Sequence, residues 1–390
     1  MTKIVEELET LGIISQIDER INLEQTNEGG KTKTIIHKGY ASGHLFTIER
    51  FVKSISTRWT AGFVEERAKY SGLTKLRDLF LGKNFYRPMN DCIERYSNMY
   101  QYSARVEAFY DVCKEMALLS PLGERLFDFG NPEHVHVRTG MRYFEIFNIL
   151  IVKIRARIQS REFTERERLR LVNATRRERS VLEMEEAMFS ESTGRSRWLV
   201  LSLTLRIKPA FRRWITPEMF QQYRKRFFVA RRYNDLMKGI ANYVWAIEQG
   251  EKSGLHLHVI LFYDARKHNH DEFIAEQIGE YWSDVVTENK GEAWNSNQAW
   301  LKRGYATKHG VGVGEINWYE REKRDALRTN LVYLAKADQY LISRSIKHMH
   351  TFDMGKIPKK IKSGRPRTAL PDGDGNSHMT GVSGSEFDAT

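Results

Sequence analysis

Between Tyr243 and Phe262 the chain carries two β-prone runs, Y-V-W-A-I-E-Q and L-H-L-H-V-I-L-F, joined by the loop G-E-K-S-G. Two such runs around a five-residue, glycine-bounded loop predict an antiparallel hairpin. Strand alternation puts His256, His258 and Ile260 on one face of the second strand and Leu255, Leu257, Val259 and Leu261 on the other. With the loop centred on Lys252, Glu248 lies directly across from His256, and directly opposed residues have Cβ atoms about 5 Å apart. Glu248, His256 and His258 therefore converge from two paired strands. Two neutral nitrogens and one carboxylate suit Mn²⁺ or Mg²⁺ and leave positions open for substrate oxygens. Spacing alone is weak evidence, because the chain has three further H-x-H pairs, at His134/His136, His268/His270 and His348/His350. The 256/258 pair stands apart by its apolar strand and opposed acid. His134/His136, beside Glu133, is the rival.

The surrounding pattern is mixed. W-L-V-L-S-L-T-L-R (Trp198 to Arg206) alternates, with four leucines on one face and Ser202 and Thr204 on the other, as a half-buried strand does. Thr216-Pro217-Glu218 predicts a helix start with Thr216 as N-cap, followed by a basic face, Arg224 to Arg232. Further helices are expected over Asp271–Val286 and from Arg321 to about Lys347, with G-V-G-V-G (310–314) between them; that run lacks the spacing of a dinucleotide fingerprint. The last helix contains L-V-Y-L-A-K-A-D-Q-Y-L, where Tyr333, Lys336 and Tyr340 fall on one face at i, i+3 and i+7, and its leucines can anchor it to the sheet. A phenol with its ordinary pKa of about 10 needs help to act as a nucleophile, and a nearby cation and a metal on the electrophile supply it. The first half reads mainly helical, over Asn90–Leu119 and Arg142–Ile158, followed by the charge-laced Arg161–Arg179, a solvated face. The expected organisation is a mostly helical region over 1–193, a domain over 194–350 and a tail over 351–390, basic at first and then disordered. The fold class is α+β, an antiparallel sheet with helices on one side and a ferredoxin-like layout.

Formal charge is +12 and the sequence pI about 9.5. That balance points to a polyanion, nucleic acid before an anionic membrane. Cys92 and Cys113 are too few for a disulfide framework or a cysteine-rich zinc site. The first ten residues carry acids where a secretory signal has its apolar run, and the longest apolar patch, Phe144 to Val152, is far short of the roughly 20 residues a bilayer span needs. A soluble cytoplasmic protein without a membrane partner is expected. Single-strand binding needs cations for phosphates and aromatics for bases, and Arg206, Lys208, Arg212, Arg213 and Trp214 follow the first strand directly. Trp294, Trp300 and Tyr305 supply further aromatics. No Walker A pattern occurs, so a helicase must be a separate protein.

Taken in order, the alternating strand, H-x-H on an apolar strand and Y-x-x-K on a helix resemble the HUH endonuclease superfamily. W-L-V-L-S-L-T-L-R is similar to its first motif, G-L-H-L-H-V-I-L-F to its second and V-Y-L-A-K to its third. Within it, Y-V-W-A-I-E-Q-G-E-K-S-G-L-H-L-H-V-I-L-F and Y-L-A-K-A-D-Q-Y resemble the filamentous-phage (inovirus) gene-two-type and YagK/YfjJ-like replication initiation proteins, over roughly Arg195 to Lys347. The resemblance implies a rolling-circle initiator of a phage, prophage or plasmid in a bacterial cell, acting on origin or single-stranded DNA beside a host helicase and polymerase. Glu248, His256 and His258 would hold the divalent metal, Tyr333 would form a 5′-phosphotyrosine, and Lys336 would orient water or balance charge. Ala337, one turn after Tyr333, departs from relatives with two alternating tyrosines and leaves Tyr340 as a spare candidate. The alternative is a DNA-binding regulator that keeps an HUH-like fold without the chemistry.

Overall fold

The structure, a computed structural model, describes residues 3–21, 23–28, 31–36, 43–67, 74–193, 195–308 and 310–359. Its centre is a six-stranded antiparallel sheet. The strands are β1 (Arg197–Ile207), β2 (Ile240–Gly250), β3 (Gly254–Asp264), β4 (Gly291–Asn295), β5 (Gly314–Asn317) and β6 (Phe352–Met354). Their order is β5-β1-β3-β2-β6, and β4 pairs with the other half of β1, so β5 and β4 lie end to end along one edge. The α+β class and the β2–β3 hairpin are as the sequence predicts, with Glu248 opposite His256 in the observed register.

The labelled helices are α1 (Lys3–Ile21), α2 (Gly43–Thr57), α3 (Ala104–Glu115), α4 (Tyr143–Ile158), α5 (Arg161–Phe189), α6 (Pro217–Val229), α7 (Asp271–Tyr281), α8 (Ala299–Lys308) and α9 (Arg321–Lys336). Helices cover both faces of the sheet, which corrects the expectation of one covered face. On one side, Phe220 and Phe227 of α6 and Ala275 and Ile278 of α7 pack on Leu199, Leu201, Leu203, Leu257 and Val259. On the other, Ile13 and Ile17 of α1, Val181, Met184 and Met188 of α5 and Leu327 and Leu331 of α9 pack on Trp198, Val200, Val244, Ile260 and Phe262. The reason lies in β1 and β3: their second faces turn apolar at Trp198, Val200, Ile260 and Phe262, away from the polar Thr204 and His258. Left uncovered, that apolar area would cost about 25 cal/mol per Å².

The first 160 residues have their own core, in which Phe51 of α2, Phe109 of α3 and Phe147 and Ile151 of α4 are fully buried and Phe51 stacks on Phe147 at 5.7 Å between ring centroids. The expected continuous helix over Asn90–Leu119 is broken. Met89–Glu94 is one short helix, Tyr100–Tyr102 a strand, and α3 restarts where the Ser103 hydroxyl accepts from the Val106 N–H at 3.3 Å. In α5 one face of the leading half is solvated, with Leu169, Leu171 and Val172 about half exposed, while Glu167, paired with Arg105 and Arg170, and Ala174 are buried; the last turns form a wall of the sheet. Gly194, the expected boundary, lies outside the described residues; α1 and α5, from the N-terminal side of it, are part of the sheet's packing. Phe352–Met354, expected in the tail, is the edge strand on β2. Residues 360–390 of that tail lie outside the described residues. Among the described residues no helix is long and apolar enough to cross a membrane.

The last helix is shorter than its pattern predicts. It ends at Lys336, a 3-10 turn covers Ala337–Gln339, and Leu341–Ser343 pairs antiparallel with Tyr100–Tyr102. Pairing with a distant strand overrides the local helical period. The G-V-G-V-G segment delivers the chain to α9. Gly310 and Gly314 have φ of +86° and +85°, and a Cβ on Gly312 would fall 2.6 Å from the Leu327 nitrogen. Because backbone cannot yield as a side chain does, Gly312→Ala is expected to cost about 1–3 kcal/mol and to lower the melting temperature in a calorimetric scan.

Candidate metal centre

The hairpin and β1 set four side chains in one row of the sheet. Glu248 opposes His256 and His256 opposes Arg206, which in turn opposes Glu292 on β4. In the next row Ala246, His258, Thr204 and Trp294 are opposed in the same way. Directly opposed residues share a face, so both rows lie on the side covered by α1, α5 and α9. Glu248, His256 and His258 are all buried, and their candidate ligand atoms lie within 4.8 Å of one another. Among the described residues no other group of three acidic, histidine or cysteine side chains meets this description.

The donor set fits a cation. The Nδ1 of His256 lies 3.0 Å from the Gly254 carbonyl, which can only accept, so Nδ1 carries the proton and Nε2 the lone pair. That Nε2 is buried without a hydrogen-bond partner and faces Glu248 Oε2 at 3.7 Å, one acceptor opposite another. His258 Nε2 is 3.2 Å from the same oxygen, and its Nδ1 is held by the Thr204 hydroxyl at 3.0 Å. Thr204 is the residue to which sequence reasoning gave no role, although its place on the polar face of β1 was the available signal. A group that fixes the second ring nitrogen is what orients a metal-binding imidazole. Burial pushes the His256 pKa down, and the Arg206 charge adds to this, which favours the neutral ring that a metal requires. Burial would raise the Glu248 pKa. The His258 imidazole, in hydrogen-bond contact with it, outweighs this and holds the carboxyl well below the usual carboxylate range.

Tyr333 completes the centre. It is 0% exposed, and its hydroxyl donates to Glu248, with 2.8 Å to Oε1 and 2.9 Å to Oε2. The structure does not bring Lys336 and Tyr340 to the same place. The Lys336 ammonium is bonded to Glu9 of α1 and lies 2.7 Å from Glu178 of α5. Burial opposes its charge, but Glu178 and Glu9 together hold its pKa above the ordinary lysine value. The Tyr340 hydroxyl is 3.3 Å from that of Thr10, and the Arg170 guanidinium lies over its ring. Its pKa is raised, with burial the main cause.

The five candidate DNA contacts also separate. Arg206 is buried in the metal row. Lys208 donates to the Asn289 carbonyl, and Arg212 bonds the Ile207 and Lys252 carbonyls. Arg213 and Trp214 are exposed, with the guanidinium 4.4 Å from the ring centroid. The other histidine pairs show different uses. His136 is bonded to Thr139 and packed on Phe127, His268 packs on Tyr263, and His350 packs on Trp245. Comparisons of the chain with family models, curated proteins and solved structures found no match, so its function rests on the chemistry of this centre.

Proposed function

We propose that the chain is a metal-dependent nickase and strand-joining enzyme for single-stranded DNA, an initiator of rolling-circle replication in an HUH-like, ferredoxin-related arrangement. The observation that carries this reading is the Tyr333 hydroxyl on the carboxylate of a buried Glu–His–His group. The resemblance of three motifs in sequence order and the net charge of +12 support it. Glu248, His256 and His258 would hold Mn²⁺ or Mg²⁺, which when bound supplies positive charge to the scissile phosphate. Tyr333 attacks the phosphorus: the bond from its phenolic oxygen to phosphorus forms, the bond from phosphorus to the 3′ oxygen breaks, and that oxygen takes up a proton. The hydrogen bond to Glu248 orients the phenol, and the proton it gives up balances the one the 3′ oxygen takes up. No water is consumed, so the phosphotyrosine keeps the phosphodiester's energy and the reverse step rejoins strands. Tyr333 is fully buried, so DNA reaches it only when the packing around it opens.

The burial of Tyr333 favours the second reading, a DNA-binding regulator with a closed centre. The two separate on a denaturing gel, with labelled single strands tiled across the replicon that encodes the chain and incubated with Mn²⁺ or Mg²⁺. The expected result is a labelled protein band that disappears with EDTA and in His258→Ala. DNA binding without such a band on any strand would establish the regulator.

A further inference from the structure

The row that contains His258 ends in an aromatic. Trp294 of β4 is two strands from His258 across the same face, about 10 Å at the usual strand spacing. Trp294 is nearly buried, and Trp300, near the start of α8, packs on it edge-to-face with ring centroids 6.1 Å apart. Trp300 is itself 50% exposed. Its indole N–H donates to the Gln298 side chain at 2.9 Å, which helps fix the ring while half of its surface stays open to solvent. Arg303 is exposed on the same helix. An exposed aromatic and a cation on one helix, packed on a tryptophan in register with a centre that would hold a phosphate, are the combination that single strands require. Bases stack on the ring while the backbone meets positive charge.

We propose that Trp300, backed by Trp294, is a stacking platform for a base of single-stranded DNA whose strand runs on to the Glu248–His256–His258 centre. The assignment of the ligand as DNA rests on the proposed function; the platform's geometry does not. Stacking accepts any base, so the platform adds affinity and sets the path of the strand, while sequence choice comes from elsewhere.

The test uses the full chain and a fifteen-nucleotide oligo-dT in EDTA, where no cleavage competes. Binding is followed by anisotropy and by tryptophan fluorescence at fixed salt. Trp300→Ala is expected to weaken binding about 5- to 150-fold and to remove most of the fluorescence quenching. Trp300→Phe, which keeps a ring, is expected to restore much of the affinity. An abasic nucleotide moved along the oligonucleotide is expected to weaken wild-type binding and to have little further effect in Trp300→Ala. Wild-type affinity in Trp300→Ala, within twofold, would overturn the platform. Because Trp300 is half exposed, its loss leaves the core intact. Failure of the nickase reading shows separately: it abolishes the covalent band in metal and leaves this binding result unchanged.

Discussion

Tyr333→Phe is expected to abolish the covalent protein–DNA band, a loss on the order of 10³-fold or more, while the protein still binds Mn²⁺. The substitution removes one oxygen and keeps the ring, so the packing of Tyr333 among Ile260, Leu331 and Phe352 is retained. Metal affinity has no reason to fall. The Tyr333 hydroxyl donates to the Glu248 carboxylate and so competes with a cation for it, and its removal leaves the carboxylate to the metal. Titration calorimetry with Mn²⁺ alongside the gel assay distinguishes a lost nucleophile from a lost metal site. Tyr340→Phe is expected to keep the band, because that hydroxyl is engaged with Thr10 and not with Glu248. The opposite pattern, with Tyr333→Phe active and Tyr340→Phe inert, would refute the assignment.

Glu185→Ala is expected to produce the largest loss of stability, about 3 kcal/mol, read as a lower urea midpoint. Glu185 is fully buried at the end of α5 and accepts from Arg324 and Arg328 of α9, each at 2.7 Å. Breaking a buried pair costs about 3–5 kcal/mol because the partner charges are left uncompensated. The lower end applies here, since the Arg328 side chain is 34% exposed and water can reach it. Glu186, the next residue, also meets both arginines, but its side chain is 64% exposed. Glu186→Ala is therefore expected to cost about 1 kcal/mol or less. Equal effects at the two positions would show that α9 is not anchored through Glu185. Because α9 carries Tyr333, the weakened anchor is also expected to slow adduct formation.

The metal group was legible in the sequence because every determinant of it is local. A short loop sets the register of a hairpin, and the register sets which side chains face each other. Glu248, His256 and His258 follow from one stretch of residues, and the observed pairing agrees. Tyr333 was legible as a tyrosine on a docked helix. Its hydrogen bond to Glu248 was not, because that depends on how far α9 slides across the sheet. The misreadings arise from distant segments. The sheet's second cover comes in part from α1 and α5, whose apolar residues give no sign of the strand they will meet. Tyr340 leaves the helix face because Leu341–Ser343 pairs with Tyr100–Tyr102. Lys336 looked like a catalytic cation because Glu9 and Glu178, which neutralise it, lie far away in sequence.

The bond from Glu9 to Lys336 spans 327 residues, and that from Thr10 to Tyr340 spans 330. At roughly 5–20 residues per second of synthesis, Glu9 and Thr10 wait about 15–65 s on the ribosome before Lys336 and Tyr340 emerge. Through much of that interval Ile13 and Ile17 have no sheet to cover. Contacts this remote make for slow closure. The same arrangement leaves the hydrogen bond from Tyr333 to Glu248 unmade until synthesis is nearly complete: a ribosome stalled before Tyr333 releases a chain without it.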